Sequence, residues 1–442
     1  MDIMENYNLI IEASVIIILS FLFSELSKKT SIPSVLLLIF LGVGLKLILD
    51  QFGYNLPGLM GILTLLGTLG LIMIVLEAAL ELKLERDKYI PILKSLLIAF
   101  VGLLGSIWVA AVIIENMVPG MDTQMAWIYA TPLSVLSSAI IIPSVENLKP
   151  KKREFHIYES TFSDILGIII FYFLLDQAGF GEHSGDAAAH ASDHATNGQS
   201  FTAGLVAYLI NILITIVASL AASYIIVIIF QRIKTPVKLF LLIAVLLLLY
   251  AIGKKLHLSA LIIILIFGLV IANLKLFFRG PLKRYLHMEK VSNLYEGLHV
   301  VTMETAFVVR TFFFVVFGLT ISLTSLISWE VAMVSLLIVA SIYVIRVVLL
   351  AVFLGKDIIP QLYIAPRGLI TILLFYAIPD EAAVEGFDQG ILLFIIIATA
   401  LIMTFALIAN KTRANRSIRS AGREAVSEER WTAPKVEDVK ES

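Results

Sequence analysis

An all-α, polytopic membrane protein of about thirteen transmembrane helices is the fold class this sequence predicts, on three observations. Apolar runs of about twenty residues, the length that crosses ~30 Å of hydrocarbon, recur from the first residues to Asn410. Charged residues make up 15% of the chain, against roughly 25% in a soluble domain. Lys and Arg gather in alternate loops, as they do in a chain that weaves through a bilayer. With 59% of its 442 residues hydrophobic, the chain is not a soluble enzyme with an anchor. The net charge of -1 says little, because its distribution matters more than its sum. The absence of cysteine excludes disulfides, thiolate metal sites and thiol nucleophiles.

Hydropathy places the spans at about 9–26, 33–49, 58–80, 91–114, 124–147, 156–176, 202–230, 236–253, 257–274, 296–324, 329–354, 359–379 and 390–410. The first is followed by Lys28 and Lys29 without a small-residue cleavage pattern, so it reads as a retained helix rather than a signal peptide. Basic residues mark one side: Lys28/Lys29; Lys83, Arg86 and Lys88; Lys149, Lys151, Lys152 and Arg153; Arg232, Lys234 and Lys238; Lys275 to Lys290; and the tail from Lys411. Lys254 and Lys255 are the clear exception on the other side. By the positive-inside rule the amino terminus is outside and the tail cytoplasmic, which requires an odd number of spans.

Two stretches lie outside the membrane. Asp176 to Ser200 is an outer loop rich in Gly, Ala, Asp and His; its His190 and His194 have metal-compatible spacing but no regular flanking structure, and with His183 they read as solvated. The tail, 411–442, is charged, disordered or partly helical, and too short for a nucleotide-binding regulatory domain.

An odd count accommodates two inverted six-helix halves around a linking seventh helix, 202–230. The fifth and twelfth spans occupy equivalent places, and both carry breakers: Thr131-Pro132-Leu133-Ser134-Val135-Leu136-Ser137-Ser138, with Pro143 beyond, and Ala365-Pro366-Arg367-Gly368. Proline removes a backbone donor, and the freed carbonyls can ligate a cation. Broken helices that cross near the bilayer midplane are therefore expected.

The sixth span holds the most informative group. Asp164, in Glu159-Ser160-Thr161-Phe162-Ser163-Asp164, runs into the apolar stretch Ile168 to Leu175. An ionised carboxylate there costs roughly 3 kcal/mol or more, so it needs a function. Reversible loading with a proton or a cation is chemistry that suits it. Ser160 shares a helical face with Asp164, and Ser163 with Glu159. Glu159 and Asp164 point about 140° apart and so have different partners. Glu77, in the third span, suits either a second cation ligand or an interfacial residue beside Glu81. Arg346 and Arg367 interrupt apolar segments and need counter-ions, for which Glu159 is the obvious candidate; Glu304 and Arg310 form a further candidate pair. Neither a phosphate-binding Gly-Lys-Ser/Thr loop nor a metal-hydrolase helix motif is present.

Taken in order, these motifs resemble the monovalent cation/proton antiporter superfamily over nearly the whole membrane part. Glu159-Ser160-Thr161-Phe162-Ser163-Asp164 is similar to the sodium/proton exchanger signature Glu-Ser-Leu-Phe-Asn-Asp, and Leu76-Glu77-Ala78-Ala79-Leu80 to Phe-Glu-Ala-Ala-Leu. Ile345-Arg346-Val347 and Arg367-Gly368 resemble two further segments, while Leu133 to Leu148 is similar to the broken fifth helix of the electrogenic bacterial branch.

The resemblance implies that Asp164 carries the ion and the proton, with Glu77, Ser137 and the neighbouring Ser138 contributing to cation binding. It implies a Glu159–Arg346 ion pair, with Arg367 supporting the crossing. It also implies a membrane domain over 1–410, with dimerisation helices roughly 9–80 and 236–324 and moving core helices roughly 91–176 and 329–410, working as a homodimer. Two departures bear on stoichiometry. Ser163 stands where the electrogenic branch has Asp, and Arg346 where that branch has Lys. Neither Ser nor Arg releases a proton readily, so one proton per cation is expected.

The function expected is electroneutral exchange of Na⁺ or K⁺ for H⁺ across a bacterial inner membrane, not an enzymatic reaction. It calls for no cofactor, no resident metal and no nucleic acid. The alternatives are a sodium-coupled symporter of an organic anion and a regulated K⁺ efflux pathway. The first calls for Asn, Gln or Glu ligands around the crossing and the second for a ligand-sensing domain or a selectivity filter, features this chain lacks.

Overall fold

The structure, a computed structural model, describes residues 14–23, 25–26, 33–51, 59–84, 88–145, 148–180, 201–233, 238–256, 258–278, 288–320, 328–355 and 358–428. His183, His190 and His194 lie outside them. All regular structure among the described residues is helical.

The first half contains α1 (Ser14–Phe23), α2 (Ser34–Gln51), α3 (Leu59–Glu81), α4 (Tyr89–Met117), α5 (Thr123–Ser134), α6 (Ser138–Ser144) and α7 (Pro150–Gln177). After α8 (Phe201–Phe230) come α9 (Lys238–Lys255), α10 (Ala260–Ala272), the short α11 (Leu274–Phe277), α12 (Met288–Thr320), α13 (Trp329–Leu354), α14 (Leu369–Phe375) and α15 (Gly390–Glu428). Each expected span corresponds to one helix or to a broken segment. Among the described residues seven spans are long and apolar enough to cross a membrane, counting α5 and α6 as one. The last helix continues about eighteen residues past the expected end at 410.

Local signals explain several ends. Asp122 caps α5, its carboxylate accepting from the Met125 amide at 2.8 Å. Pro150 opens α7, where a missing amide is harmless. Outward faces of α4, α8 and α13 carry exposed side chains such as Trp108, Leu213 and Val344, as lipid-facing helices do.

Two sets of helices pack among themselves. In one, α12 lies against α2 and α3, and α10 against α3, α8 and α9; in the other, α4 lies against α5, α7 and α13, and α13 against α15. They meet where α3 touches α7 and α14, and where α7 touches α8. The α2–α12 contact is backbone to backbone. A Cβ on Gly42 would strike the Val315 carbonyl and come 2.9 Å from the Gly318 Cα.

The fifth-span break falls at Val135–Ser137, not at its prolines. Pro132 sits inside α5 and Pro143 inside α6. Tertiary partners make the break. The Leu136 amide donates to Ser163 Oγ at 3.0 Å, and the Ser137 amide donates to the Pro366 carbonyl at 3.0 Å. That second bond joins the two broken segments where they cross. Pro143 nevertheless has an effect, because it frees the Ala139 carbonyl four residues earlier. The cation that takes up this carbonyl is Arg310, at 3.4 Å.

Candidate functional site

Asp164 lies near the middle of α7 and is 3% exposed. Its Oδ2 accepts from the Ser138 amide, the first residue of α6, at 3.3 Å. Its Oδ1 is buried and has no hydrogen-bond partner among the described residues, and the same holds for the hydroxyl of Ser137 next to Ser138. A narrow cavity, partly open to the exterior, reaches Asp164 between α3, α7, α10 and α14, its other walls being aliphatic side chains such as Ile74, Val75 and Ile370. A buried carboxylate held at one oxygen by an amide, beside a largely apolar cavity, is an incomplete polar site.

The break thus brings together Asp164, Ser163, Ser137 and Ser138. Ser160 is directed elsewhere, its hydroxyl donating to the His156 carbonyl at 2.7 Å within the same helix. Glu77 does not line the cavity. Its Oε2 accepts from Arg310 Nη2 at 2.6 Å. This corrects the expected Glu304–Arg310 pair: Glu304 is exposed, and the basic group of α12 turns to α3 instead.

Glu159 and Arg346 form a bidentate pair, Nη1 to Oε1 at 2.7 Å and Nη2 to Oε2 at 2.9 Å. The pair is buried, with Glu159 1% and Arg346 8% exposed. The Gln361 carbonyl accepts from Arg346 Nε and Nη2 at 3.1 and 3.0 Å. His156 Nδ1 lies 3.4 Å from Glu159 Oε2. Sequence reasoning passed over His156, although its i,i+3 spacing to Glu159 was visible. No sequence pattern announces the Gln361 carbonyl, since every residue has one.

Arg367, 2% exposed, pairs with no carboxylate among the described residues. Nε donates to the Leu133 carbonyl at 3.1 Å, Nη2 to Ser134 at 2.9 Å and Nη1 to Ala365 at 2.9 Å. Leu133 and Ser134 are the last residues of α5, whose final carbonyls have no intrahelical donor and carry the negative end of the helix dipole. The guanidinium therefore closes the broken helix. The carbonyls that end the broken helix are thus taken by an arginine. The Arg367 amide is itself held by Thr399 Oγ1 at 3.0 Å, which ties the crossing to α15.

Glycines let the crossing close. A Cβ on Gly167 would collide with Val135, and one on Gly368 would come 2.7 Å from Ser137 Oγ.

Comparison with known proteins agrees with this architecture. The sequence matches the family described as "Sodium/hydrogen exchanger, transmembrane" over residues 15–409. No curated protein matches the chain. Among solved structures, the sodium proton antiporter MjNhaP1 from Methanocaldococcus jannaschii at pH 8 is similar, with a TM-score of 0.64 and 20% identity over 90% of this chain and 94% of that one. A structure of the same antiporter from an electron-microscopy map gives a TM-score of 0.64 and 19% identity over 98% and 100% of the two chains. At such identities the likeness concerns the fold. The family match spans nearly the whole membrane part, and so the chain belongs to the sodium/hydrogen exchanger family, a multi-pass cation/proton antiporter and not an enzyme.

Proposed function

We propose that this antiporter exchanges one monovalent cation, Na⁺ or K⁺, for one H⁺ by competition at Asp164. The observation that carries the reading is the buried Asp164 carboxylate, which borders a cavity and whose Oδ1 has no partner among the described residues. An ionised carboxylate so placed is costly, and either a proton or a desolvated cation removes the cost. The two cannot occupy it together, so each swing between inward and outward access carries one or the other. Ser163, Ser137 and Ser138 form the polar surroundings, with Ser160 a helical turn away and bonded to the His156 carbonyl, and Glu77 contributes from outside them with its charge offset by Arg310.

Stoichiometry follows from the residues that do not titrate. Ser163 is neutral, and Arg346 is permanently charged and held by Glu159 and Gln361. One proton therefore balances one cation. The moving core comprises roughly 91–176 and 329–410, acting against dimerisation helices roughly 9–80 and 236–324 in a homodimer, with 202–230 linking them. The chain sits in a bacterial inner membrane with its amino terminus outside and the tail from 411 in the cytoplasm.

The test is a pH-dye assay in proteoliposomes under Na⁺, K⁺ and Li⁺ gradients, comparing the native protein with Asp164→Asn. The variant should fold, since it removes a buried charge rather than adding one, and should show no cation-driven proton movement. Normal exchange by Asp164→Asn would overturn the assignment.

A further inference from the structure

Arg310 stands apart from the exchange site and yet reaches its backbone. Its Nη2 donates to Glu77 Oε2 at 2.6 Å and its Nη1 to the Ala139 carbonyl at 3.4 Å. Glu77 and Arg310 belong to α3 and α12, which pack together in one set of helices. Contact there is close: a Cβ on Gly70, on the Glu77 face of α3, would come 3.1 Å from Val309 Cγ1. Ala139 belongs to α6, which packs on α7 in the other set. The guanidinium therefore spans the two sets, its short bond lying inside one and its long bond reaching into the other.

The local sequence explains the long bond. In an uninterrupted helix the Ala139 carbonyl would accept from the amide of residue 143, and Pro143 has none. A carbonyl without a donor is costly at membrane depth, and the guanidinium supplies one. The adjacent Ser138 amide is the group that holds Asp164 Oδ2 at 3.3 Å. Two neighbouring residues in the first turn of α6 are thus held from opposite sides, Ser138 by α7 and Ala139 by α12. Arg310 is also held less completely than Arg367, all three of whose nitrogens donate. The Arg310 Nε is buried and has no hydrogen-bond partner among the described residues.

We infer that Arg310 is a latch on the broken helix: its bond to Ala139 favours the access state in which the first turn of α6 lies beside α12, and it parts when the two sets slide. This rests on the proposed swing between inward and outward access. Glu77 is the anchor, because it stays with Arg310 in one set throughout. At 3.4 Å the bond is near the long limit, so its loss should move the access equilibrium as an ordinary hydrogen bond does, by roughly threefold to tenfold. Arg310 is a positioning residue and not a ligand of the cation.

The experiment uses the full-length protein in proteoliposomes of uniform orientation, with Na⁺ supplied from one face at a time. The apparent KM at each face varies inversely with the fraction of protein open to that face. The ratio of the two KM values therefore reports the access equilibrium. Two variants remove the latch by different routes and leave Glu77 its counter-charge. Pro143→Ala gives Ala139 an intrahelical donor, so that its carbonyl is satisfied in both access states. Arg310→Lys keeps a cation beside Glu77 but lacks the fork that reaches a second acceptor. Each should raise one KM and lower the other, shifting the ratio in the same direction by roughly threefold to tenfold. The double variant should shift it no further than either alone. A residue with only a structural role would lower kcat and Tm with the ratio unmoved, and that outcome would overturn the inference. Opposite shifts in the two variants, or additive shifts in the double one, would overturn it as well. Pro143→Ala keeps the test available if Arg310→Lys does not fold, since alanine suits a helix interior. If Asp164→Asn still exchanged normally, the site assignment would fail by itself, and the KM ratio would still read the latch. An unmoved ratio alongside a dead Asp164→Asn would sink the latch alone.

Discussion

The buried Glu159–Arg346 pair permits a prediction of both sign and size. Replacing Arg346 by Ala strands a carboxylate that is 1% exposed, with only His156 Nδ1 nearby at 3.4 Å. Breaking a buried pair from one side costs about 3–5 kcal/mol, and Arg346→Ala belongs at the upper end. Glu159→Ala belongs at the lower end, because the stranded guanidinium keeps its two bonds to the Gln361 carbonyl. The double variant leaves no unpaired charge and orphans only that carbonyl, at about 1–3 kcal/mol plus the loss of packing.

Converted at roughly 2.1 cal/mol/K per residue, 442 residues give an unfolding entropy near 0.9 kcal/mol/K. Each single variant should then lower Tm by at least about 3–5 °C. Helices that persist in detergent make the true entropy smaller and the shift larger. The assay is a thermal-stability double-mutant cycle on purified protein in one detergent. The double variant should resemble a single one. If it instead lost the sum of the two, the side chains would not be coupled and the reasoning from their geometry would fail.

Two further outcomes are expected. With one cation balancing one proton, an imposed voltage should alter neither the rate nor the end point of exchange; a sustained transport current on a solid-supported membrane, scaling with the cation gradient, would show that a second carrier such as Glu77 takes part. Gly167→Ala places a methyl group against Val135 and should cost about 1–3 kcal/mol while slowing exchange; native Tm together with native rate would show that the break does not need its close approach to α7.

Much of the architecture was legible because a bilayer leaves the chain few options. Span length, alternating basic loops and a single costly carboxylate follow directly from hydrocarbon thickness and charge solvation. The crossing was legible in place but not in cause. Pro132 and Pro143 sit within helices, while the interruption depends on Ser163 and Pro366, residues distant in sequence from the bonds they make. Arg367 called for a counter-ion, but a helix end's carbonyls served instead, and backbone atoms leave no trace in composition. Helix geometry itself opposes a Glu304–Arg310 pair. Six residues apart, they point about 120° from one another around α12.

The backbone contact between Gly42 and Gly318 bears on how the protein is made. The two glycines lie 276 positions apart, counted as 318 minus 42, and synthesis proceeds at about 5–20 residues per second. Once α2 has entered the membrane, its small-residue face therefore waits roughly 14–55 s before the matching face of α12 exists. During that interval the groove around Gly42 is filled by lipid or by a provisional neighbour, and α12 must displace it. A nascent chain arrested before residue 318 should consequently hold α2 loosely, and arrest after α12 has cleared the insertion machinery should make its cross-linking pattern match that of the finished protein.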